Sequence, residues 1–256
     1  MVYKAYDFTT YPMATSRFYI PEPLAPNTTI ALPVALAHHA LRVLRLPAGA
    51  PIVLFDGRGG QYPARLLIDG KRGYAELGAH DPVEAELPGR ITLAQGIAAS
   101  DKMDWVIEKA VELGAACVAP IAAQRSVLQL SGERLQKRLA HWQRIAQAAS
   151  EQSGRNRIME VLAPQTLAGW LEARPDAATS MLFCHPGSAQ TLEQALSTAG
   201  DELTLLVGPE GGWSEAELAL VERHGLTGVR FGQRVLRTET AGLALIAAVS
   251  ALRGWQ

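Results

Sequence analysis

From Ile91 onward the chain alternates short apolar runs with longer segments of helical periodicity, and this alternation constrains the fold more than any other feature. In residues 101–113 the apolar positions share one face, and Gly114 follows as a helix-ending residue. Strands that alternate with helices predict a parallel sheet covered on both faces. The predicted strands are 91–98, 117–123, 159–162, 181–185, 204–207 and 228–231, and a long helix is predicted over 131–152.

Residues 16 to about 88 have a different pattern, in which short alternating strands are separated by Asp-Gly turns. This pattern predicts a compact, β-rich, barrel-like module with one helix over 34–44. Prolines and acidic residues over 80–90 predict a linker. We therefore expect a first domain over 13–88 and an α/β domain over 89–256. Residues 1–12 precede a natural-looking beginning at Met13, and we treat them as an extension outside the fold.

Composition narrows the class of protein. A hydrophobic content of 48% with 19% charged residues is typical of an ordinary soluble protein. No apolar run approaches the roughly 20 residues of a membrane helix, and no signal peptide opens the chain, so the cytoplasm is the default location. Cys117 and Cys184 each lie in a strand-like run without nearby histidine clusters, which predicts buried thiols and no metal site.

The stretch LLVGPEGGWSEAE over residues 205–217 predicts a strand, a glycine loop and a helix. Ser214 and Glu217 have the spacing of a capping box, and Trp213 and Leu218 that of a hydrophobic staple. Loops after the carboxyl ends of parallel strands commonly bind ligands. This loop has no lysine and carries Glu210, which disfavours phosphate and favours a neutral or cationic ligand. The alternative interpretation is a tight turn that uses glycine only for its geometry and binds no ligand.

The formal net charge is only −1, but the charges are unevenly distributed. Residues 124–157 contain seven Lys or Arg against two acids, and residues 187–224 contain one Arg against seven acids. The basic stretch could bind a phosphate backbone or could be a solvated helix face. A last helix over 239–253 is apolar on nearly every side, so the sheet should cover one face. A second subunit covering the other face would make a homodimer.

Two stretches together carry a family resemblance: residues 205–214, LLVGPEGGWS, and residues 231–241, FGQRVLRTETA. Further matches lie at 16–19, 39–45, 109–114 and 151–155. From about residue 13 to its end the chain resembles the RsmE family of SPOUT methyltransferases. It departs at Trp213 and Phe231, where the family often has Phe and Leu.

The resemblance implies a PUA-like barrel followed by an α/β methyltransferase domain with a deep trefoil knot, a feature otherwise almost absent from proteins. It implies S-adenosylmethionine as the methyl donor and an obligate homodimer with sites near the interface. The implied activity is that of a 16S rRNA (uracil-N3)-methyltransferase. We expect an assembled small subunit as substrate, although the sequence also leaves free RNA open.

The resemblance also assigns residues. Three segments would hold the cofactor, largely through backbone groups, and their residues are His185, Pro186, Val207, Gly208, Pro209, Glu210, Gly211, Gly212, Val235, Leu236, Thr240 and Ala241. Transfer to N3 requires that nitrogen to lose its proton, and Arg237 is the candidate that stabilises charge developing on the uracil oxygens. Arg155, from the same or the other subunit, could hold the phosphate or base. Glu239, Glu210 or water could accept the proton, although Glu239 also suits a helix start.

Candidate phosphate contacts lie in both domains, although each alone is also an ordinary surface residue. They are Arg17, His39, Arg42, Arg45, Arg125, Arg134, Lys137, Arg138 and Arg144. Three alternatives stay open beside the leading one. They are a SPOUT enzyme with another target atom, a non-catalytic ribosome-assembly factor and, more distantly, a dinucleotide oxidoreductase, which the missing G-x-G-x-x-G disfavours.

Overall fold

The computed structural model describes residues 15–126, 131–174 and 181–255, so the predicted extension over 1–12 lies outside the described residues. The chain divides into two compact units, residues 1–84 and 85–256. The division falls inside the predicted linker, close to the boundary expected at residue 88.

The first unit is built on one five-stranded sheet. Its strands are β1 (Ser16–Tyr19), β2 (Thr29–Ala31), β3 (Pro51–Phe55), β4 (Tyr62–Asp69) and β5 (Arg72–Leu77), in the order β1-β3-β4-β5-β2. The first pair is parallel and the other three are antiparallel. Helix α1 (Val34–His38) continues as a π-helical turn over His39–Val43, so the predicted helix is present with a change of hydrogen bonding halfway. The alternating strand residues, among them Phe18, Ile52, Leu54 and Leu66, form the core.

The second unit is an α/β domain with a parallel sheet, as the sequence predicts. Its described strands are β6 (Arg90–Gly96), β7 (Cys117–Ile121), β8 (Glu160–Val161), β9 (Met181–Cys184), β10 (Gln190–Thr191), β11 (Glu202–Val207) and β12 (Thr227–Arg230). They pair in parallel in the order β10-β12-β9-β11-β6-β7-β8. The helices are α2 (Ser100–Glu112), α3 (Gly132–Ser153), α4 (Leu167–Glu172), α5 (Leu192–Leu196), α6 (Glu215–Arg223) and α7 (Thr238–Arg253).

Helices cover both faces of this sheet, which explains why its central strands are mostly apolar. Every residue of β7 is buried. One core packs α2, α3, α5 and α7 against the sheet, and a second packs α4 and α6. Helix α2 buries the predicted face at Met103, Val106, Ile107 and Ala110 and ends before Gly114, whose φ is +85°. The short elements α4, α5 and β10 were not predicted.

Helix α7 packs against α2, β6 and β11. A Cβ on Gly242 would come within 2.9 Å of Leu93 in β6, so this glycine permits the close approach of helix and sheet. Leu245, Ile246 and Val249 are buried, whereas Leu252 is 53% exposed. The sheet therefore covers one face of α7, as expected, and the other face stays open within a single chain. Among the described residues, no helix is both long and apolar enough to cross a membrane.

Candidate active site

A cavity of about 570 Å³ lies at the carboxyl ends of β9, β11 and β12, beside the first residues of α7. Ligands bind at this edge in open α/β sheets because the strands end there and loops surround the crevice. Three segments supply most of the lining, namely residues 184–186, 207–213 and 229–239, with Lys102 of α2 at one side.

The glycine loop begins after β11 and leads into α6 as predicted. The Ser214 hydroxyl accepts a hydrogen bond from the Glu217 amide at 3.2 Å, and the Glu217 carboxylate accepts one from the Ser214 amide at 2.9 Å. This is the predicted capping box. The second Glu217 oxygen accepts from the Gln124 amide at 2.9 Å, and Trp213 is buried in the core beside Leu218. The end of the loop that leads into α6 is therefore fixed by hydrogen bonds and by the buried Trp213 ring.

Glycine is required in this loop for two different reasons. Gly212 has a φ of +67°, where a side chain introduces strain, but a Cβ there would meet no atom within 4 Å. Close packing limits the other two positions. A Cβ on Gly208 would lie 2.9 Å from the Trp213 ring nitrogen, and one on Gly211 would lie 2.7 Å from the Arg125 carbonyl oxygen. The loop therefore packs too closely for a side chain at Gly208 or Gly211.

A buried hydrogen-bond chain joins the glycine loop to α7, and the sequence analysis missed it. The Gln95 side chain at the end of β6 donates to the Thr238 hydroxyl at 2.8 Å and to the Gly96 carbonyl at 3.1 Å. The Thr238 hydroxyl in turn donates to the Gly208 carbonyl. Gln95 is 0% exposed and Thr238 is 8% exposed, so little water competes for these bonds. Two walls of the cavity are thus fixed to one sheet strand.

An acidic wall forms where α2 meets the glycine loop and α7. The Lys102 ammonium lies 3.4 Å from a carboxylate oxygen of Glu210 and 3.4 Å from one of Glu239. The same Glu210 oxygen accepts a hydrogen bond from the Ala99 amide at 3.1 Å. Burial raises the pKa of Glu210, but this bond and the Lys102 ammonium outweigh it and lower the pKa below its usual value. The other oxygen of Glu239 is buried and has no hydrogen-bond partner among the described residues.

The segment before α7 contributes a basic rim to the cavity. Arg230, Arg234 and Arg237 line the cavity and are exposed. Within the described part of the chain, no hydrogen bond or ion pair holds their guanidinium groups. Phe231 and Val235 lie between them in sequence and are 38% and 82% exposed.

His185 lies at the end of β9, where aromatic packing orients its ring. It stacks on Phe183 with ring centroids 5.7 Å apart and an interplanar angle of 13°. Its Nδ1 accepts a hydrogen bond from the Gly187 amide at 3.1 Å. The Trp213 ring nitrogen is buried without a hydrogen-bond partner among the described residues, which leaves a donor beside the cavity.

The structure brings most of the predicted cofactor residues together. Those that line the cavity are His185, Pro186, Val207, Gly208, Pro209, Glu210, Gly212, Val235, Leu236 and Ala241. Gly211 and Thr240 are outside the lining, since Gly211 packs on Arg125 and Thr240 is exposed on α7. Arg237 and Glu239 line the same cavity. Lys102, Trp213, Thr238 and Arg230 are lining residues that sequence reasoning missed.

Arg155 lies apart from this group. Its side chain is 3% exposed, and its guanidinium donates two hydrogen bonds to the Glu86 carboxylate and one each to the carbonyls of Val111 and Ala115. These bonds join the end of α3 to the end of α2 and to the segment before β6. The structure thus gives Arg155 an intramolecular structural role and does not bring it to Arg237.

The predicted RNA contacts of the first unit lie on β1 and around α1. Arg17 donates to Gln61 and lies 5.3 Å from the centroid of the Phe55 ring. His39 is exposed and packs edge-on against Phe18, and Arg42 and Arg45 are exposed.

The predicted contacts of the second unit lie on α3 and in the turn before it. Arg125, Arg134 and Arg144 are exposed, and Lys137 pairs with Glu133. Arg138 is half-buried beside Asp104, which also binds His141 at 2.8 Å. Helix α3 therefore carries an exposed basic face, reduced by the ion pairs of Lys137 and Arg138.

The thiols and the acidic groups give no metal site. The described residues contain no group of three His, Cys, Asp or Glu side chains placed to hold a metal ion. Burial raises the pKa of Cys117 to about 11 and that of Cys184 to about 12. Both thiols therefore stay protonated near neutral pH, and neither is suited to act as a nucleophile.

The fold and the cavity together define an RNA methyltransferase. Residues 85–250 match the RNA methyltransferase domain family, and residues 32–77 match the RNA methyltransferase PUA domain family. The chain belongs to the ribosomal RNA small subunit methyltransferase E family. It is 33% identical to the protein of that name from Bacillus subtilis, over 83% of this chain and 86% of the relative. The Synechocystis relative is also 33% identical, over 95% of this chain and 80% of its own length.

Two solved structures agree with this assignment. The ribosomal RNA small subunit methyltransferase E from Neisseria gonorrhoeae, bound to S-adenosylmethionine, has a TM-score of 0.85 and 39% identity over 93% of this chain and 98% of its own. A putative methyltransferase from Legionella pneumophila, also in complex with S-adenosylmethionine, has a TM-score of 0.86 and 30% identity over the same shares.

Proposed function

We propose that the protein is an S-adenosylmethionine-dependent methyltransferase that acts on N3 of one uridine of 16S ribosomal RNA, uridine 1498 by analogy with its family. One observation carries the proposal. The cavity formed by the glycine loop and the start of α7 lies in the domain that matches RNA methyltransferases, and two similar structures hold S-adenosylmethionine.

The lining of the cavity fits this cofactor. Glu210 and Glu239 against one Lys102 leave the acidic wall with a net negative charge, which favours the ammonium and sulfonium groups. The buried oxygen of Glu239 and the Trp213 ring nitrogen offer an acceptor and a donor that the described residues do not use. Backbone groups of residues 208–212 and 235–237 would hold the nucleoside. When bound, S-adenosylmethionine supplies an electrophilic methyl group on sulfur.

Two residues would act on the target base. Uracil N3 must lose its proton before or as it takes the methyl carbon from sulfur, and the negative charge left by that proton is shared with the two flanking oxygens until the new bond forms. Arg237 is a permanently charged donor at the cavity rim, and we assign it the stabilisation of that charge. The proton would pass to Glu239 or to water. Glu210 is a weaker acceptor, because its lowered pKa and its bonds to Ala99 and Lys102 favour the ionised state.

RNA would bind through basic residues of each unit, which are Arg17, His39, Arg42 and Arg45 in the first and Arg125, Arg134, Lys137, Arg138 and Arg144 in the second. All are exposed except Arg17 and Arg138, which are half-buried. Binding through such groups should weaken steeply with salt. We propose the assembled small subunit as the substrate, which places the protein in the cytoplasm. We assign no RNA or catalytic role to Arg155.

A homodimer is the expected state of the enzyme. The open face of α7 includes Leu252, and the adjacent helix α2 exposes 44% of Trp105, so a second copy would bury an apolar surface. Light scattering should give twice the mass of the chain, and Leu252→Asp should shift the protein toward monomers. If the unaltered protein were a monomer, the proposed homodimer would be contradicted.

The deep trefoil knot of the family is also proposed for this chain. Its support is the strand order: β12 inserts between β9 and β10, and the chain then returns to α7 against the central strands β6 and β11. When the two ends of the unfolded chain are pulled with optical tweezers, its extended length should be shorter than that of an unknotted chain, because the tightened knot retains residues. An unknotted chain extends by about 3.3–3.6 Å per residue. Full extension would contradict the knot.

One experiment tests the activity. Purified protein is incubated with S-adenosylmethionine and small ribosomal subunits that lack the modification, and the nucleosides are analysed by mass spectrometry. We expect one N3-methyluridine per subunit. Arg237→Ala should abolish transfer while cofactor affinity survives, and Arg223→Ala, an exposed arginine outside the cavity, should change neither.

The other outcomes separate the remaining possibilities. A methyl group on another atom would contradict the proposed target, and absence of cofactor binding would favour an assembly factor that keeps the fold. Equal loss of transfer and cofactor affinity in Arg237→Ala would place Arg237 in the cofactor wall and contradict its catalytic role.

A further inference from the structure

The rim loop, which we define as residues 230–237, carries three arginines whose charges the chain itself does not neutralise. Arg230, Arg234 and Arg237 are exposed, and the described residues give them neither an ion pair nor a hydrogen bond. Elsewhere in this unit, arginines such as Arg138 and Arg253 lie within ion-pair distance of Asp104 and Asp201. The rim loop is therefore a local cluster of positive charge, not neutralised by described residues, that lines the cavity.

The rim loop also exposes an aromatic ring next to these charges. Side chains along β12 alternate between the two faces of the sheet, so Val229 is buried and Arg230 is exposed. Phe231 is the first residue after the strand. Phe231 is 38% exposed and lines the cavity. Exposed aromatic rings flanked by arginine are the arrangement with which proteins bind single-stranded RNA, since bases stack on the ring and phosphates contact the guanidinium groups.

We propose that the rim loop binds the RNA strand that flanks the target nucleotide. Phe231 stacks on an unpaired base, and Arg230 and Arg234 each contact a phosphate. This inference rests on the proposed function and deepens it, because it assigns a binding site for single-stranded RNA to Arg230, Phe231 and Arg234, which are outside the proposed catalytic and cofactor sets.

The charges that line the cavity indicate where the RNA backbone binds. The acidic wall holds Glu210 and Glu239 against the single Lys102, so its net charge is negative and it repels phosphates. The rim loop attracts them. The RNA backbone therefore passes over the rim loop, and the acidic wall stays beside the cationic cofactor.

Binding of small ribosomal subunits that lack the methyl group, followed by fluorescence anisotropy of labelled protein, tests the stacking. Phe231→Ala should weaken binding by about 5- to 100-fold, the usual range for losing one stacked base. Phe231→Trp keeps a flat ring and should stay within about twofold of the unaltered protein. Phe231→Leu keeps the apolar bulk without the ring and should behave like Phe231→Ala.

The salt dependence of the same binding tests the phosphate contacts. The double variant Arg230→Gln, Arg234→Gln should lower the slope of log affinity against log salt by about 1.4, because each single-strand phosphate contributes about 0.7. Arg223→Gln is the matched control and should leave the slope unchanged. Affinity for S-adenosylmethionine should fall less than affinity for the subunits in Phe231→Ala and in the double arginine variant, since these side chains are exposed where they line the cavity.

Several outcomes would overturn the inference. Full activity and unchanged salt dependence in Phe231→Ala and in the double arginine variant would contradict the RNA-binding role of the rim loop. The proposed function would remain intact. Equal binding by Phe231→Leu and Phe231→Trp would exclude stacking. If Phe231→Ala were monomeric, the rim loop would instead contact a second copy of the chain. If the variants lost most of their affinity for S-adenosylmethionine, the rim loop would belong to the cofactor site. Failure of the unaltered protein to transfer a methyl group would overturn the proposed function and this inference together.

Discussion

Replacing Thr238 with valine removes one hydroxyl from the chain that joins Gln95 to Gly208, with little change of side-chain volume. Two hydrogen bonds disappear, the one that Gln95 donates and the one that Gly208 accepts. Each contributes about 0.5–1.5 kcal/mol, and the one buried Gln95 N–H left without its acceptor costs about 1–3 kcal/mol more, while the bond from Gln95 to the Gly96 carbonyl remains. We expect the unfolding free energy to fall by about 2–6 kcal/mol, which lowers the melting temperature by about 4–24 °C.

The same change should weaken binding of S-adenosylmethionine, since the Gly208 end of the loop loses its anchor to α7. Loss of one such bond corresponds to about a 2- to 12-fold change in affinity, which calorimetry resolves. Thr238→Ser keeps the hydroxyl and should retain stability and affinity. Thr240→Val makes the same chemical change two residues along α7 at an exposed position and should alter neither. Equal effects of Thr238→Val and Thr240→Val would refute the reasoning.

Three further expectations concern single positions. Gly212→Ala should cost about 1–2 kcal/mol in thermal denaturation, because its φ is +67° while the space around it is open; no effect would contradict the backbone conformation. Glu86→Gln removes the carboxylate that neutralises buried Arg155 and should cost about 3–5 kcal/mol in urea unfolding, whereas a surface pair would cost less than 1 kcal/mol. The pKa of Glu210 is lowered, so its stabilising contribution is complete above the unfolded value of about 4.3 and is lost as the pH falls through the folded value. Glu210→Gln should therefore lose less stability between about pH 5 and pH 3 than the unaltered protein, and identical curves would contradict the lowered pKa.

The parts of the site that were predictable from the sequence are those determined by local interactions. The capping box of Ser214 and Glu217 spans four residues, and the glycine loop follows directly from the end of β11. Buried parallel strands were readable because β6, β7 and β11 are apolar runs. The elements α4, α5 and β10 are too short to show a period, so they were missed.

The parts that were not predictable depend on contacts between distant segments. Lys102 lies more than a hundred residues before Glu210, and no local pattern joins them. Gln95 is polar within an apolar strand, which signals an internal partner without identifying Thr238 as that partner. Arg155 follows a basic helix and looked like part of a basic surface, but its neighbours Val111 and Ala115 turn it inward. Burial of an arginine follows from tertiary packing alone.

The central claim is that backbone groups of the glycine loop and of the segment before α7 hold S-adenosylmethionine. The most direct measurement is a crystal structure of the protein soaked in this compound, with a parallel soak in inorganic pyrophosphate. We expect density for the nucleoside in the cavity between residues 208–212 and 235–241, and none for pyrophosphate there. An empty cavity in the first soak, or pyrophosphate occupying it in the second, would contradict the account.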